Sequence, residues 1–383
     1  MQEMTSRERF LIAMTGGQPD RVPCSPDFSN MIPCRLTGKP FWDIYLNSDP
    51  PLWRAYIDAA RHFGIDPWFP YASPRYTLED EGCVQQERSI ISRADDRIVE
   101  QTRTVTPEGE MTSRVTYYRD NPPTESERPL KDLQAQRRQI KHLYRMPTGA
   151  DFSAVREMKK YVGPDVAFGG SVGYPGFQSW VWFTQGQIET LSYAMMDCPD
   201  VLEELYQRDE AVNVKRTEIM LDSGLYDYLL LGGSGTITLS SPEIFDRYAL
   251  PTIKKITKMC RQAGVATMLH SCGKEMHLIQ RCAEETDLSC VNPLEIPPMG
   301  DSTLSEAKRL YGDKIALMGN LHTTEVMLRG SVEDVKKAAR QAIDDAAKGG
   351  GFILSTGDQC GRDTPDENLR AMVEVCKTYG RYQ

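Results

Sequence analysis

The residues predict a (β/α)8 barrel with an inserted antiparallel hairpin in its N-terminal half, and three observations point there. From about residue 150 onward, apolar strand-like runs alternate with amphipathic stretches, the pattern of a parallel sheet wrapped by helices. Six such runs, added to two shorter ones near the start, make eight staves. Between about 80 and 120 the period changes to alternating apolar and polar residues around Pro107-Glu108-Gly109, which reads as an antiparallel hairpin inserted into the barrel.

In chain order, Thr5 with Glu8 forms a capping box that opens a first helix, and Gly16-Gly17 closes it. Arg21-Val22-Pro23 then leads into a first strand, and a second short strand falls near Gly64 to Phe69. After the 80–120 hairpin, the Pro- and charge-rich stretch over 121–142 reads as a solvated connector back to the barrel. The six later strands begin near Val166, Tyr226, Val265, Leu288, Lys314 and Phe352. Thr303 with Glu306, Thr364 with Glu367 and Ser240 with Glu243 have capping-box spacing, Gly312 and Gly380 sit where helices end, and Pro251 interrupts the helix that begins near Pro242. No repeat or low-complexity tract divides the chain, so 1–383 is expected to be a single barrel domain.

At 383 residues, 40% hydrophobic and 26% charged, the chain has the composition of a soluble globular protein with a large core. A net charge of −9 and the lack of a basic tract argue against nucleic acid or an anionic membrane as a partner. No apolar stretch approaches a membrane span, and the opening MQEMTSRERFLIAM lacks the uncharged core of a signal peptide, so a cytoplasmic location is expected. The 10 cysteines follow no disulfide spacing and are expected to be reduced thiols. Cys24, Cys198, Cys260 and Cys376 lie in apolar or helical surroundings, where a thiol acts as a small core hydrophobe.

Chemistry concentrates at strand ends. His270-Ser271-Cys272-Gly273 closes one apolar run, and Cys360 follows the last. In extended backbone, residues two apart share a face, so His270 and Cys272 point the same way. One imidazole and two thiolates at the C-terminal rim of a barrel suit zinc, and three protein ligands with an open fourth position mark a catalytic site. The plain alternative is a hydrogen-bonded core histidine with two cysteines as filler. Asn292, Glu295, Asn320, His322 and Asp358 border the same rim; the asparagines also suit loop hydrogen bonding, and Glu295 or Asp358 could serve as a fourth ligand or an acid–base group. His277 reads as an exposed or supporting histidine rather than a ligand. The aromatic segment Tyr174 to Phe183, with Trp180, suits either a substrate pocket or core packing. Gly232-Gly233-Ser234-Gly235 lacks the lysine of a phosphate loop and reads as room for a ligand at the barrel mouth.

The runs HSCGKEMHLIQ, NPLE, YGDKIALMGNLHTTEVMLRGSVEDV and GGGFILSTGDQCGRDTPDENLRAMVE resemble the uroporphyrinogen decarboxylase superfamily, in particular its zinc-dependent cobamide methyltransferase branch. The opening SRERFLIAMTGGQPDRVP is similar as well. The resemblance implies a (β/α)8 barrel and a zinc site at His270, Cys272 and Cys360. It also implies methyl transfer that involves a corrinoid. No Asp-x-His-x-x-Gly cobalamin motif occurs, so the corrinoid is expected on a separate protein. Thiol-methylating members carry an acidic zinc ligand where this chain reads Leu231-Gly232-Gly233-Ser234. That departure, with the hairpin, favours transfer from a small methylated donor, such as an aryl methyl ether, to cobalt(I), with Tyr174, Trp180, Asn292, Glu295 and Asn320 contacting substrate. Transfer from methylcorrinoid to a thiol and porphyrinogen-type decarboxylation stand as alternatives, the latter without the family's arginine-rich glycine motif. A homodimer is compatible with these residues, which do not fix the oligomeric state.

Overall fold

The computed structural model describes residues 3–233 and 235–382. Its centre is a seven-stranded parallel sheet: β1 (Trp68–Phe69), β2 (Ala167–Gly173), β3 (Tyr228–Gly232), β4 (Ala266–His270), β5 (Cys290–Asn292), β6 (Ala316–Leu321) and β7 (Phe352–Thr356). The strands are paired in chain order. β3 and β7 are buried at every residue, as a sheet covered on both faces requires.

The expected first strand at Arg21-Val22-Pro23 is present only as bridges. Cys24 pairs in parallel with Leu354 of β7, the amides of Ser25 and Leu354 bond across this junction, and the Asp66 amide donates to the Cys24 carbonyl at 2.7 Å. Pro23 has no amide hydrogen to donate to a ladder, which keeps this segment from extending as a regular strand. The remaining expected strands appear with their ends moved by a few residues.

The helices follow their local chemistry. Ser6–Met14 starts on the Thr5/Glu8 capping box, formed in both directions. Helix Pro242–Tyr248 stops at Ala249, and Leu250–Gln262 resumes with Pro251 in its first turn, where a missing amide hydrogen does no harm. Three expected caps differ. Thr303 is an N-cap with no side-chain bond, Pro365 replaces Thr364, and Ser241 replaces Ser240, its hydroxyl accepting from the Ile244 amide. A further capping box, Ser331 with Asp334, opens Val332–Ala346.

The insertion is larger than the expected hairpin. A two-stranded stem, Arg75–Leu78 with Pro147–Asp151, leads into a four-stranded antiparallel sheet of Gln85–Arg93, Arg97–Thr106, Gly109–Tyr118 and Thr124–Glu127. Pro107-Glu108-Gly109 does turn between the middle strands. The expected connector over 121–142 therefore contains the fourth strand and a 3-10 turn, Arg137–His142. Thr124–Glu127 is wholly polar and pairs through charge, with Glu127 3.1 Å from Arg114, so no apolar alternation announced it. Met111, Leu130, Ile140 and Tyr144 pack with Phe177, Trp180 and Tyr248 into a second core that joins the insertion to the helices after β2. Among the described residues, no helix is long and apolar enough to cross a membrane.

Candidate metal centre

Parallel pairing lines up the C-terminal ends of β3, β4 and β5. His270 is the register partner of Gly232 on one side and of Asn292 on the other. Gly232 has φ +101°, and a Cβ there would lie 2.3 Å from the His270 carbonyl oxygen, so only glycine lets the backbone pass. The His270 ring stacks on Trp68, with centroids 6.3 Å apart. Its Nδ1 is buried without a hydrogen-bond partner.

Cys272 follows on the loop after β4, and Asp358 lies on the loop after β7. One ligand atom from each of His270, Cys272 and Asp358 falls within 4.8 Å of the others, and all three residues are half-buried. Nitrogen, sulfur and oxygen donors gathered at this spacing fit a zinc ion. The unpartnered imidazole nitrogen fits it as well, because a buried nitrogen without a partner costs free energy that a ligand would recover.

Cys360, read from the sequence as the third ligand, is not in this group. The Thr356 hydroxyl donates to the Asp358 carbonyl at 2.7 Å, turning the chain after β7, and the Cys360 amide donates to the Asp27 carbonyl at 2.7 Å. The turn breaks the two-residue alternation that would have put Asp358 and Cys360 on one face. Cys360 is fully buried in the main core, and burial, reinforced by Asp27, pushes its thiol up to about 12.

Carboxylates surround the group. Glu295 accepts from the Gly273 amide at 2.5 Å and holds the loop that carries Cys272. Glu275, completely buried, accepts from the Leu294 amide at 2.6 Å, while its other oxygen has no partner. Burial drives Glu275 well above the usual carboxylate range, with Glu295, Asp301 and Asp358 acting in the same sense. Asp27, also buried, is raised by burial and by Asp358, with His270 opposing. Neither Asp27 nor Glu275 was singled out from the sequence, because neither acid stands at a spacing that marks a site.

The remaining residues divide. Tyr174 borders the site: burial and the neighbouring Cys272 raise its phenol, and its ring lies where a Gly233 Cβ would sit. Asn292 is fully buried with both amide atoms unpartnered. Asn320, at the end of β6, is half-buried. Trp180 belongs elsewhere: it is fully buried in the second core, 5.2 Å from Tyr248. Its place in that core, rather than at the mouth, follows from the helix Phe177–Val181 turning its apolar face toward the insertion. The His322 Nδ1 accepts from the amides of Thr324 and Glu325, and His277 bonds Asp246 at 3.0 Å, so each is used locally. Ser234 lies outside the described residues. A depression of about 720 Å³ opens at the opposite end of the strands, lined by Asp227, Arg261, Ser289 and Lys314, with no histidine or cysteine in its lining.

Comparison with known proteins agrees with this architecture. A solved methyltransferase from Methanosarcina mazei superposes over 98% of this chain and 99% of its own, with a TM-score of 0.66 at 19% identity, which is a likeness of fold. A methylcobamide:CoM methyltransferase, MtbA, from Methanosarcina mazei is 28% identical over 167 residues, 44% of this chain and 46% of that protein. A second methylcobamide:CoM methyltransferase, MtaA, from Methanosarcina barkeri is 25% identical over 236 residues, 60% of this chain and 63% of its own length. The matched stretch thus spans about half to under two thirds of these relatives. The family model described as uroporphyrinogen decarboxylase (URO-D) matches residues 94–379, and the chain belongs to that family.

Proposed function

We propose that this chain is a corrinoid-dependent methyltransferase that moves a methyl group from a small methylated donor, such as an aryl methyl ether, to the cobalt(I) of a corrinoid on a separate protein. The observation that carries the reading is the His270, Cys272 and Asp358 group on a strand-end rim, in a chain similar to methylcobamide methyltransferases. His270 and Cys272 would hold zinc with a third ligand from the loop after β7. Bound there, zinc supplies Lewis acidity toward the heteroatom that loses its methyl group.

The chain's own side chains orient the donor. Asn292 presents a donor and an acceptor beside His270, Tyr174 offers an aromatic wall beside Cys272, and Glu295 fixes the Gly273 turn. Asn320 borders the same mouth. In the transfer, the methyl–heteroatom bond breaks and its electron pair stays on the heteroatom, which takes a proton from water. The cobalt(I) electron pair forms the new carbon–cobalt bond. The same reading takes Val22–Ser25 as an eighth stave of a closed barrel, supported by its bonds to Leu354 of β7 and by the bond from the Asp66 amide, two residues before β1.

The test mixes zinc-loaded protein, a reduced corrinoid protein and a panel of methyl ethers, thioethers and methylamines, and follows methylcobalt formation by absorbance. Methylation of cobalt(I) with at least one donor is expected; none across the panel overturns the reading. Transfer from methylcorrinoid to a thiol is a second reading, favoured by the similarity to methylcobamide:CoM methyltransferases. The same assay run from methylcorrinoid with thiols distinguishes it.

A further inference from the structure

We infer that the inner face of the parallel sheet, below the rim, binds the end of the methyl donor remote from its methyl group, and that this end is uncharged and carries a hydroxyl. The ligand's being a methyl donor rests on the methyl-transfer reading above; the hydroxyl preference rests on the residues of the inner face.

Register fixes which side chains share that face. Trp68 of β1 stacks on His270 of β4 although β2 and β3 separate them in the sheet, so the sheet curls around the side on which both rings lie. Directly paired residues of neighbouring parallel strands point the same way, and residues two apart along a strand do too. Asn292 is paired with His270, Cys290 with Ala316, and Asn320 with Ser355, which carries the inner face from β4 across to β7. At the bridge between Cys24 and Leu354 these two residues face outward together, so Ser25, the next residue along, turns inward beside Ser355.

The inner layers of such sheets are filled with bulky apolar side chains. Here Ser25, Asn292 and Ser355 are fully buried and Trp68 nearly so, yet the two serine hydroxyls, Trp68 Nε1 and both Asn292 amide atoms have no hydrogen-bond partner in the protein. Buried polar atoms are normally paired, and four residues on one face that are not leave a set for a ligand to complete. Trp68 Nε1 only donates, whereas the serines and the asparagine both donate and accept. A hydroxyl, which also does both, meets this set. A hydrocarbon end leaves every atom unpaired, and a quaternary ammonium offers no lone pair to Trp68. Charge removes a carboxylate: β1 to β7 contain no lysine or arginine, and the charged group next along the chain from Ser25 is another acid, the buried Asp27. A buried carboxylate without a counter-charge is strongly disfavoured.

The experiment measures binding by calorimetry on zinc-loaded, full-length protein. In a methyl ether series, para-methoxyphenol is compared with para-methoxybenzoate and anisole; the thioether counterparts form a second series. In whichever series binds, the hydroxyl compound should bind at least about tenfold more tightly than the other two. Ser25→Ala and Ser355→Ala should each reduce that margin while leaving the affinity for the unsubstituted compound unchanged. Both variants should keep wild-type thermal stability, because the deleted hydroxyls bond nothing in the protein. Where transfer occurs, KM should rise with kcat little changed, the mark of lost binding rather than lost chemistry. A carboxylate compound that binds as tightly as the hydroxyl one, no binding in either series, or a margin that survives in both variants overturns the inference; the last result would assign the hydroxyls to ordered water. The wild-type comparison decides the matter even if a variant misfolds. The hydroxyl margin without any methylation of cobalt(I) leaves the binding face standing and overturns the methyl-transfer reading instead.

Discussion

At the N-terminal ends of the strands, Asp66 is almost wholly buried and accepts hydrogen bonds from Ser6, Arg9, Arg21 and the Cys24 amide. At the C-terminal ends Asn292 is equally buried and has no partner for either amide atom. The same division recurs nearby. Arg9 also reaches Asp20 at 2.7 Å, and Arg7 pairs with Asp227 beside β3, whereas His270 Nδ1 and one Glu275 oxygen are left without partners at the other rim. The Asp66 carboxylate is satisfied within the chain, although the Nε of Arg21 beside it is not, whereas the Asn292 side chain and His270 Nδ1 make no bond to protein atoms and are open to a ligand or water. The Asp66 carboxylate at one end of the sheet is satisfied by folding, whereas the candidate site at the other end leaves polar atoms open to a ligand.

The strongest way to break this contrast is to remove Asp66. Asp66→Ala strands Arg9 and Arg21, which are nearly as buried, and losing one partner of a buried ion network costs about 3–5 kcal/mol. Urea denaturation should show that loss, while metal binding per folded molecule stays unchanged. A change in stability below about 1 kcal/mol, the range of a surface pair, would mean that the network is not what closes that end.

Asp209 is an intermediate case, and pH resolves it. It lies on the long helix Pro199–Asp222, almost fully buried, and accepts from the Gly176 amide at 2.9 Å and from Asn213 at 3.0 Å, supporting the loop that carries Tyr174. Burial raises its carboxyl to about 7, against the bonds from Gly176 and Asn213. The folded protein therefore holds a proton that the unfolded chain releases near pH 3.9. The associated stability is fully present below that pH, falls by about 1.4 kcal/mol per unit as pH rises, and is lost once pH passes about 7. Asp209→Asn should flatten this slope between pH 4 and 7 in equilibrium unfolding. An identical slope in both proteins would place the proton elsewhere.

How far the sequence announced these two ends follows the same physics. The candidate metal rim was legible because His270 and Cys272 stand two apart at the end of an apolar run, although the strand itself stops at His270 and Cys272 lies on the following loop. That Asp358 rather than Cys360 falls within reach of His270 and Cys272 was not, because the turn there is held by the Thr356 hydroxyl, a contact no spacing rule carries. Trp180 was equally ambiguous: an aromatic beside glycines suits a pocket or a core, and only the presence of Met111 and Leu130 from the insertion decides for core. The parallel strands were readable from their apolar runs, whereas the polar strand Thr124–Glu127 and the bridge at Cys24 depend on partners distant in sequence. The paired network around Asp66 left no trace either, since its residues are separated by tens of positions and belong to no motif.

The smallest expected effect on stability gives the sharpest test of the contrast, because its sign is opposite at the two ends. Replacing Asn292 by leucine removes two buried polar atoms that make no bond in the folded chain and substitutes a side chain of similar size. An unsatisfied buried group costs about 1–3 kcal/mol, so Asn292→Leu should leave the fold unchanged or more stable by about 1 kcal/mol, while Asp66→Ala weakens it. On the proposed function, methyl transfer should fall steeply at the same time, because Asn292 is the register partner of His270 and is proposed to orient the donor. Thermal unfolding and cobalt methylation measured on one preparation separate the two effects. If Asn292→Leu lost stability to the extent of Asp66→Ala, Asn292 would be a structural residue whose partner is ordered water, and the division between a finished end and a waiting one would fail at its most buried residue.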